Sequence, residues 1–302
     1  MKNSKNSKDM KILNYLLAAV LLLAFAACSD DDEPVVVSPE EENLVAQFDP
    51  QFVSKLFLKG YIDDLHRITR ADVEGITKLD VSGDYDDYEE GKGMVSLKGI
   101  EYFTALDTLY CSYNRLAALD VSRNTALEYM DCSNNRLASL DVSGNTALEY
   151  MDCGTNRLTA LDVSRNTKLT QLLCGDNLLA SLDVTQNTAL ERLFCYENLL
   201  ASLDVSRNTK LERLYCYNNR LTALDVSRNT ALKYLDCAVN RLPSLDVSRN
   251  TALKYLHYDI NPGEHGTFTL FVWPGSELIE EWFYGWIYGG EAVNVNYVEK
   301  EE

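Results

Sequence analysis

A period of 21 residues governs most of this 302-residue chain. The stretch LEYMDCSNNRLASLDVSGNTA at 127–147 recurs in near-identical copies that begin at Leu106, Leu148, Leu169, Leu190, Leu211 and Leu232. A partial earlier copy lies around Leu79, and a last copy opens at Leu253. One short unit cannot bury its apolar side chains alone, so the copies must stack into one continuous solenoid.

Each copy divides into two similar halves, Leu-x-x-Leu-x-Cys-x-x-Asn-x and Leu-x-x-Leu-Asp-Val-Ser-x-Asn-Thr-x. The second half, for example 140–146, is rich in residues that disfavour a helix and is too short to hold one. One coil therefore has two extended sides. Because neither side carries a helix, we expect neighbouring coils to be nearly equidistant on both sides, about 4.8 Å apart.

The full pattern resembles the leucine-rich repeat, and in particular its 21-residue bacterial variant, the IRREKO type. Met130 and Met151 replace the second leucine in two copies, which keeps that position apolar. The resemblance implies a right-handed solenoid whose Leu-x-x-Leu-x-Cys segments stack as a parallel sheet. We predict a mostly β fold in which the solenoid spans 79–261.

Both ends of a solenoid core need covering. Residues 48–78 open with Asp49-Pro50 and show near-helical spacing of apolar residues, which predicts a short helical N-terminal cap. Residues 262–302 alternate polar and apolar side chains, as in 267–271 and 293–297, which predicts a β-rich C-terminal cap. The aromatic residues at 282–288 belong either to the core of that cap or to an exposed platform for a glycan or a partner.

Seven of the eight cysteines recur with the repeat, at 111, 132, 153, 174, 195, 216 and 237. Each takes the third apolar position of Leu-x-x-Leu-x-Cys, where a buried free cysteine behaves as a small hydrophobe. Equivalent side chains of stacked coils point the same way and do not converge as a disulfide or a zinc site requires. We therefore expect a buried, reduced ladder, and neither disulfides nor metal.

Asparagine and aspartate also recur in every coil. Two asparagine ladders include Asn135 and Asn145, at points where the chain must turn, and we expect them to bond turn backbone and one another. The aspartate column, which includes Asp141, is the same in every coil, whereas catalysis needs a few groups in different environments. We expect these aspartates to bond turn N–H groups, with partial neutralisation by nearby arginines.

Function must then lie where the copies differ. Residues that flank the second leucine of each strand point outward, and with three tyrosines just beyond them they form an aromatic stripe. Such a stripe favours a binding face, although cross-coil stacking could also serve stability alone. The candidate ligand-binding residues are Tyr110, Tyr113, Tyr129, Asp131, Tyr150, Asp152, Arg192, Phe194, Tyr196, Arg213, Tyr215, Tyr217, Tyr234, Asp236 and Tyr255.

An acidic insertion interrupts the first coil, with five carboxylates between Asp84 and Glu90. A cation could bind there. Nothing in the sequence holds the carboxylates in place, however, and charge runs are usually solvated, so a surface loop is the expected structure.

The N-terminus predicts export. Lysines precede an apolar run over 16–27, the pattern of a signal peptide covering residues 1–27. Ala26-Ala27-Cys28 resembles the bacterial lipobox, which implies lipidation of Cys28; an ordinary cleaved signal or an uncleaved anchor are the alternatives. Residues 29–33, Ser-Asp-Asp-Asp-Glu, resemble the acidic export tag of Bacteroidetes lipoproteins displayed on the outer membrane, and residues 28–47 have the composition of a flexible tether.

The formal charge of the chain is −18, and the first 27 residues hold four lysines and one aspartate, so the mature chain carries −21. Such a charge repels nucleic acid and favours cationic or neutral ligands. His66, His257 and His265 have no nucleophile or ligand set nearby, so we expect neither an enzyme nor a cofactor.

The sequence thus predicts a monomeric, lipid-anchored outer-membrane protein, facing outward or into the periplasm. Its partner is expected to be a host or microbial protein, as the resemblance implies, or alternatively a glycan in nutrient uptake.

Overall fold

The computed structural model describes residues 42–262, 267–276 and 294–300. All of them belong to one compact unit, Pro39–Glu302. The predictions for Cys28, for most of the tether and for the aromatic residues at 282–288 lie outside the described residues. No described helix is long and apolar enough to cross a membrane.

The N-terminal part is helical, as predicted. Helix α1 (Pro50–Lys59) begins where the side chain of Asp49 accepts hydrogen bonds from the N–H groups of Gln51 and Phe52, and it ends at Gly60, whose φ of 78° suits glycine. Its buried face packs on the first coils. A 3₁₀ turn (Val45–Gln47) precedes it, and helix α2 (Arg70–Val73) follows with a capping box formed by Thr69 and Asp72.

A nine-stranded parallel sheet forms one side of the solenoid, and its strands pair in register, so that Tyr129 lies beside Tyr150. The pairs follow the 21-residue spacing except the first, in which Leu79 lies beside Leu109 because of the insertion. The middle residue of every strand is buried and both of its neighbours face out. The strands are β1 (Lys78–Asp80), β2 (Thr108–Tyr110), β3 (Tyr129–Asp131), β4 (Tyr150–Asp152), β5 (Gln171–Leu173), β6 (Arg192–Phe194), β7 (Arg213–Tyr215), β8 (Tyr234–Asp236) and, after one strand of the other side, β10 (Tyr255–His257).

The C-terminal cap continues the second side of the solenoid. Strands β9 (Ser244–Asp246), β11 (Thr267–Val272) and β12 (Asn294–Glu299) form a parallel sheet in the order β12-β11-β9. In the last coil Tyr258 takes the position of the cysteine, and its ring stacks on Phe268 with centroids 5.2 Å apart. This larger side chain joins the final coil to the cap.

The second side forms fewer strands than the two extended sides that the sequence predicts for each coil. Among the described residues, β9 is the one strand that the second halves of the repeats form. In the turns of the other coils, main-chain N–H groups bond within the coil, as from Asn124 to Val121 (3.0 Å) and from Leu127 to Asn124 (3.2 Å). The same carbonyls accept a second hydrogen bond from an asparagine of the next coil: Nδ2 of Asn145 donates to the oxygens of Val121 (3.0 Å) and Asn124 (2.9 Å).

The first asparagine ladder bonds backbone on both sides of each coil junction. Nδ2 of Asn135 donates to the carbonyls of Cys111 and Cys132, and its Oδ1 accepts from the N–H of Leu116 (3.0 Å). The predicted bonding of turn backbone is confirmed. The expected bonding of the asparagines to one another occurs in the second ladder through the main chain, since Nδ2 of Asn145 donates to the carbonyl oxygen of Asn124. In the first ladder Nδ2 donates to other carbonyls of its own coil and of the coil before, as Asn135 does.

The cysteine ladder is confirmed: the seven repeat cysteines are free and buried. Burial raises the pKa of the Cys195 thiol to about 12, and the other six are also raised, so these thiols stay neutral.

The aspartate column caps turns, as predicted. Asp120 Oδ1 accepts from the N–H of Ser122 at 3.0 Å, and the six later members of the column make the same bond. Hydrogen bonds from Ser122 lower the pKa of Asp120 more than the charge of Arg123 does. Turn capping is thus the main role of the column, and neutralisation by arginine is minor.

The acidic insertion is not the loop predicted from the sequence. Its residues form helix α3 (Tyr85–Glu89), followed by a 3₁₀ turn (Ile100–Tyr102). Tyr85 and Tyr88 both pack edge-on against Tyr113, each with ring centroids 6.1 Å apart. These ring contacts hold the short helix against the first coil.

Candidate functional site

The outward face of the nine-stranded sheet carries two columns of side chains, one on each side of the buried middle residue. The first column consists of Lys78, Thr108, Tyr129, Tyr150, Gln171, Arg192, Arg213, Tyr234 and Tyr255. The second column consists of Asp80, Tyr110, Asp131, Asp152, Leu173, Phe194, Tyr215, Asp236 and His257.

A tyrosine stack occupies the N-terminal part of this outward face. The rings of Tyr129 and Tyr150 are parallel within 1° with centroids 4.0 Å apart, and Tyr110 adds a tilted ring at 5.0 Å from Tyr129. Lys78 Nζ lies 5.3 Å from the centroid of Tyr110. In-register strands of one sheet bring these rings together, since neighbouring strands are about 4.8 Å apart.

Arginines and further aromatic pairs occupy the C-terminal part. Phe194 stacks on Tyr215 with centroids 4.5 Å apart, and the guanidinium of Arg213 lies 4.5 Å from the centroid of Tyr234. Arg192 donates from Nη1 to the side-chain oxygen of Gln171 at 3.3 Å. Each cationic or aromatic side chain is thus supported by its neighbour in the next coil.

Beyond the strands, Tyr196 and Tyr217 form another parallel pair with centroids 4.8 Å apart. The ring of Tyr196 lies over Gly175, where an added Cβ would come within 2.6 Å of the ring carbons. Glycine at that position therefore makes room for the tyrosine.

Two carboxylates lie side by side at the N-terminal part of the face. Asp131 and Asp152 are Cα partners on β3 and β4. Burial, together with the charge of Asp131, raises the pKa of Asp152 to about 6, although a hydrogen bond from the N–H of Gly154 opposes the shift. Ionising both groups therefore costs free energy.

At the far end, His257 bridges two carboxylates. Its Nδ1 lies 3.1 Å from Asp236 Oδ2 and its Nε2 lies 3.5 Å from Asp259 Oδ2. Hydrogen bonds to Asp236 and Asp259 raise the pKa of His257 to about 10, so the imidazole is charged at neutral pH.

The structure places fourteen of the fifteen candidate binding residues on or directly beside the outward face. Tyr113 is the exception, since it lies in the turn with φ of 53° and two rings of α3 pack on it. Sequence reasoning missed Gln171, Asp259 and Lys78 as partners of the predicted residues. Gln171 lies 21 residues before Arg192, so the repeat period could have shown that contact. Asp259 contacts His257, and Lys78 contacts Tyr110; neither pair is separated by 21 residues, so the period gave no signal for them.

Among the described residues there is no group of three or more His, Cys, Asp or Glu side chains that could hold a metal ion. The alternative of a cation at the insertion helix therefore gains no support from the residues placed there.

Comparison with known proteins finds similar folds. The functional domain of InlJ from Listeria monocytogenes, described as including a cysteine ladder, matches with a TM-score of 0.59 and 32% identity over 76% of this chain and 56% of that one. Internalin C2 from the same organism has a TM-score of 0.61 and 19% identity, covering 76% of this chain and 99% of that one. The plant peptide hormone receptor RGFR1 in complex with RGF2 has a TM-score of 0.51 and 20% identity, covering 59% and 31%.

No protein-family model and no curated protein matches the chain. The chain spans 56% of the length of the InlJ domain. The structure and these neighbours nevertheless agree on the class: the chain has the leucine-rich repeat fold, a mostly β solenoid, as the repeat pattern predicted.

Proposed function

We propose that this chain is a non-catalytic, monomeric surface lipoprotein that binds a protein partner through the outward face. The observation that carries the proposal is the contrast between the two faces of one sheet. Inward positions repeat the same apolar residues, whereas outward positions vary and hold tyrosine, phenylalanine and arginine. Tyrosine and arginine contribute the most energy per side chain in protein interfaces.

The structural neighbours support the same function. Internalins and a receptor in complex with RGF2 share the solenoid fold. In a solenoid, a repeated scaffold presents one long surface whose residues can change from coil to coil without disturbing the core. Carbohydrate binding has weaker support, because it rests on the aromatic rows alone.

Anchoring is proposed from the N-terminal sequence. Lipidation at Cys28 would hold the tether and the solenoid at the outer membrane, with the acidic residues 30–33 directing export to the outer surface. A Cys28→Ser variant should lose incorporation of a labelled fatty acid and should no longer fractionate with membranes. Unchanged labelling of that variant would contradict lipidation at this residue.

Binding is tested with the full chain immobilised and exposed to extracellular proteins of the organism and its host. The triple variant Phe194→Ala, Tyr215→Ala and Tyr234→Ala should no longer bind a partner that binds the wild type. These changes remove aromatic side chains from the C-terminal part of the outward face. A control variant replaces the exposed residues Arg165, Arg207 and Arg228 of the second side with alanine and should bind as the wild type does.

The same variants separate binding from stability. If the aromatic rows only stabilise the sheet, the triple variant should unfold at lower temperature while it still binds the partner at temperatures where it is folded. Retained binding of that kind would contradict the proposed role of the face.

A further inference from the structure

The motif Tyr-x-Asp occurs on three strands of the sheet, and its surroundings differ between them. It is Tyr129-Met130-Asp131 on β3, Tyr150-Met151-Asp152 on β4 and Tyr234-Leu235-Asp236 on β8. In each case the tyrosine and the aspartate both face outward and the middle residue is buried.

On β8 the motif holds cations supplied by the chain itself. The guanidinium of Arg213 lies 4.5 Å from the ring centroid of Tyr234, and the imidazolium of His257 contacts Asp236 Oδ2 at 3.1 Å. The other carboxylate oxygen, Asp236 Oδ1, caps the turn by accepting from the N–H of Ala238. The ring and the free oxygen of the motif therefore each have a positively charged neighbour.

On β3 and β4 the same motif lacks those cations. Oδ1 of Asp131 accepts from the N–H of Ser133 and Oδ1 of Asp152 accepts from the N–H of Gly154, as on β8. Within the described part of the chain, however, neither aspartate has an ion-pair partner. Each instead lies beside the other, on neighbouring strands.

Turn capping does not explain why two aspartates are adjacent. Leu173, Phe194 and Tyr215 occupy the same position in the next three coils, and those coils form the same strand and turn without a carboxylate. Like charges directly opposite each other on neighbouring strands destabilise a sheet. Asp131 and Asp152 have this destabilising arrangement and lie beside two stacked tyrosines. A positive charge supplied by a ligand would relieve the repulsion between them.

We infer that the Tyr129–Asp131 and Tyr150–Asp152 motifs bind arginine side chains of a protein partner, with a guanidinium against the tyrosine stack and on the Oδ2 atoms of the two aspartates. Guanidinium matches this site because it is planar, stacks on aromatic rings and donates from two edges to carboxylates. The strand spacing of about 4.8 Å lets one guanidinium reach both carboxylates. The inference rests on the proposed function and adds the chemistry of the partner: a basic, arginine-bearing segment.

The probe is a synthetic peptide of alternating arginine and serine, titrated into the full chain by calorimetry at physiological ionic strength. Charges farther apart than about 8 Å are largely screened there. Combined Asp131→Asn and Asp152→Asn should weaken binding about tenfold or more, since two charge-assisted hydrogen-bonded contacts are lost. A peptide with lysine in place of arginine should bind more weakly to the wild type.

The matched control removes the same net charge elsewhere, by Asp183→Asn and Asp204→Asn on the second side, where both aspartates are exposed turn caps. This control should bind within about twofold of the wild type, because surface charges far from the peptide are screened. Equal weakening by both pairs of substitutions would show attraction by net charge alone and would overturn the inference. No binding by the wild type would overturn it as well.

Binding of a natural partner by the two sets of variants tests this inference separately from the proposed function on which it rests. If the partner is lost on alanine substitution of Phe194, Tyr215 and Tyr234 but retained by the Asp131→Asn, Asp152→Asn variant, the arginine site is wrong and the binding face stands. If neither variant affects the partner, both fail.

Discussion

At the scale of single residues, each coil contains one position of left-handed backbone, just before the first asparagine of the repeat. The φ angles there lie between 50° and 58°, and the residues are Tyr113, Asn134, Thr155, Asp176, Glu197, Asn218, Val239 and Ile260. Left-handed backbone costs an ordinary L residue about 1–2 kcal/mol, whereas asparagine tolerates it and a β-branched residue fits it poorly. The turn geometry is the same in every coil, so residue choice alone decides how much strain each coil carries.

Replacing Val239 with asparagine should therefore stabilise the protein by about 1 kcal/mol. The side chain is 37% exposed, so little burial is lost. Thermal unfolding compares this variant with the reverse change, Asn218→Val, which should destabilise by a similar amount. A lower midpoint for Val239→Asn would show that the contacts of valine outweigh the strain.

A second residue-scale prediction concerns pH. Asp152 has a folded pKa of about 6, above the usual value for an unfolded aspartate, so the folded state binds its proton more tightly between about pH 4 and 6. Stability contributed by this group is therefore lost as pH rises through that window. The charge facing it is Asp131, and Tyr150 and Tyr196 are the other titratable side chains beside it.

Asp152→Asn should raise the free energy of unfolding by about 1 kcal/mol at pH 7.5 and should have little effect at pH 4. The expected magnitude is small because the carboxyl group is partly exposed to solvent. Asparagine can still accept from the N–H of Gly154, so the turn is preserved. Denaturant unfolding at the two pH values measures the difference. An equal effect at both values would assign the change to packing and not to charge.

At the scale of the coil, the two sides are held together by different hydrogen bonds. The sheet side uses main-chain bonds between strands, whereas on the second side an asparagine amide of one coil donates to two carbonyls of the coil before. A single side chain there performs the role that a strand ladder performs on the first side. Loss of one amide should therefore be costly.

Asn187→Ala tests this bridging role. Nδ2 of Asn187 donates to the carbonyls of Val163 and Asn166 at 2.9 Å each, and the residue is fully buried. Each carbonyl keeps one main-chain bond, from the N–H groups of Asn166 and Leu169. The variant therefore loses two buried hydrogen bonds and should be less stable by about 1–3 kcal/mol. The neighbouring Thr188 is exposed, so Thr188→Ala should change stability by less than about 0.5 kcal/mol. Similar losses in both variants would contradict the bridging role.

At the scale of the whole molecule, stability should depend on position along the array. Each coil contacts mainly its two neighbours, so the ends lose contacts first when the solenoid opens. The buried cysteines report this opening, since burial keeps each thiol neutral and unreactive until its coil is exposed.

Pulsed thiol labelling in moderate denaturant, read out by mass spectrometry, should modify Cys237 and Cys111 before the central Cys174. In native buffer none of the three should react appreciably, because each is fully buried. Labelling of Cys174 as fast as that of Cys111 would indicate that the array opens in one step.

Some of the fold and of the site followed from the repeat period. In stacked coils of equal length, equivalent residues occupy equivalent environments, so the inward leucines, the cysteine ladder, the turn aspartates and the outward columns could be read from their spacing. The period also placed Asp131 beside Asp152, and Tyr129 beside Tyr150. These adjacencies need no coordinates, because stacking repeats the same translation at every coil.

The tertiary structure was needed to find the contacts that do not follow the repeat from one coil to the next. The contacts of α3 with Tyr113, of His257 with Asp259 and of Tyr258 with Phe268 each join side chains that the repeat does not relate to each other. The detail of the asparagine bonding on the second side also came from the structure, because the sequence predicted bonds to turn backbone but did not show that each Nδ2 donates to two carbonyls of the preceding coil. The sequence by itself thus determined which residues face the core and which face out, and the three-dimensional structure decided which of the outward charges already have a partner.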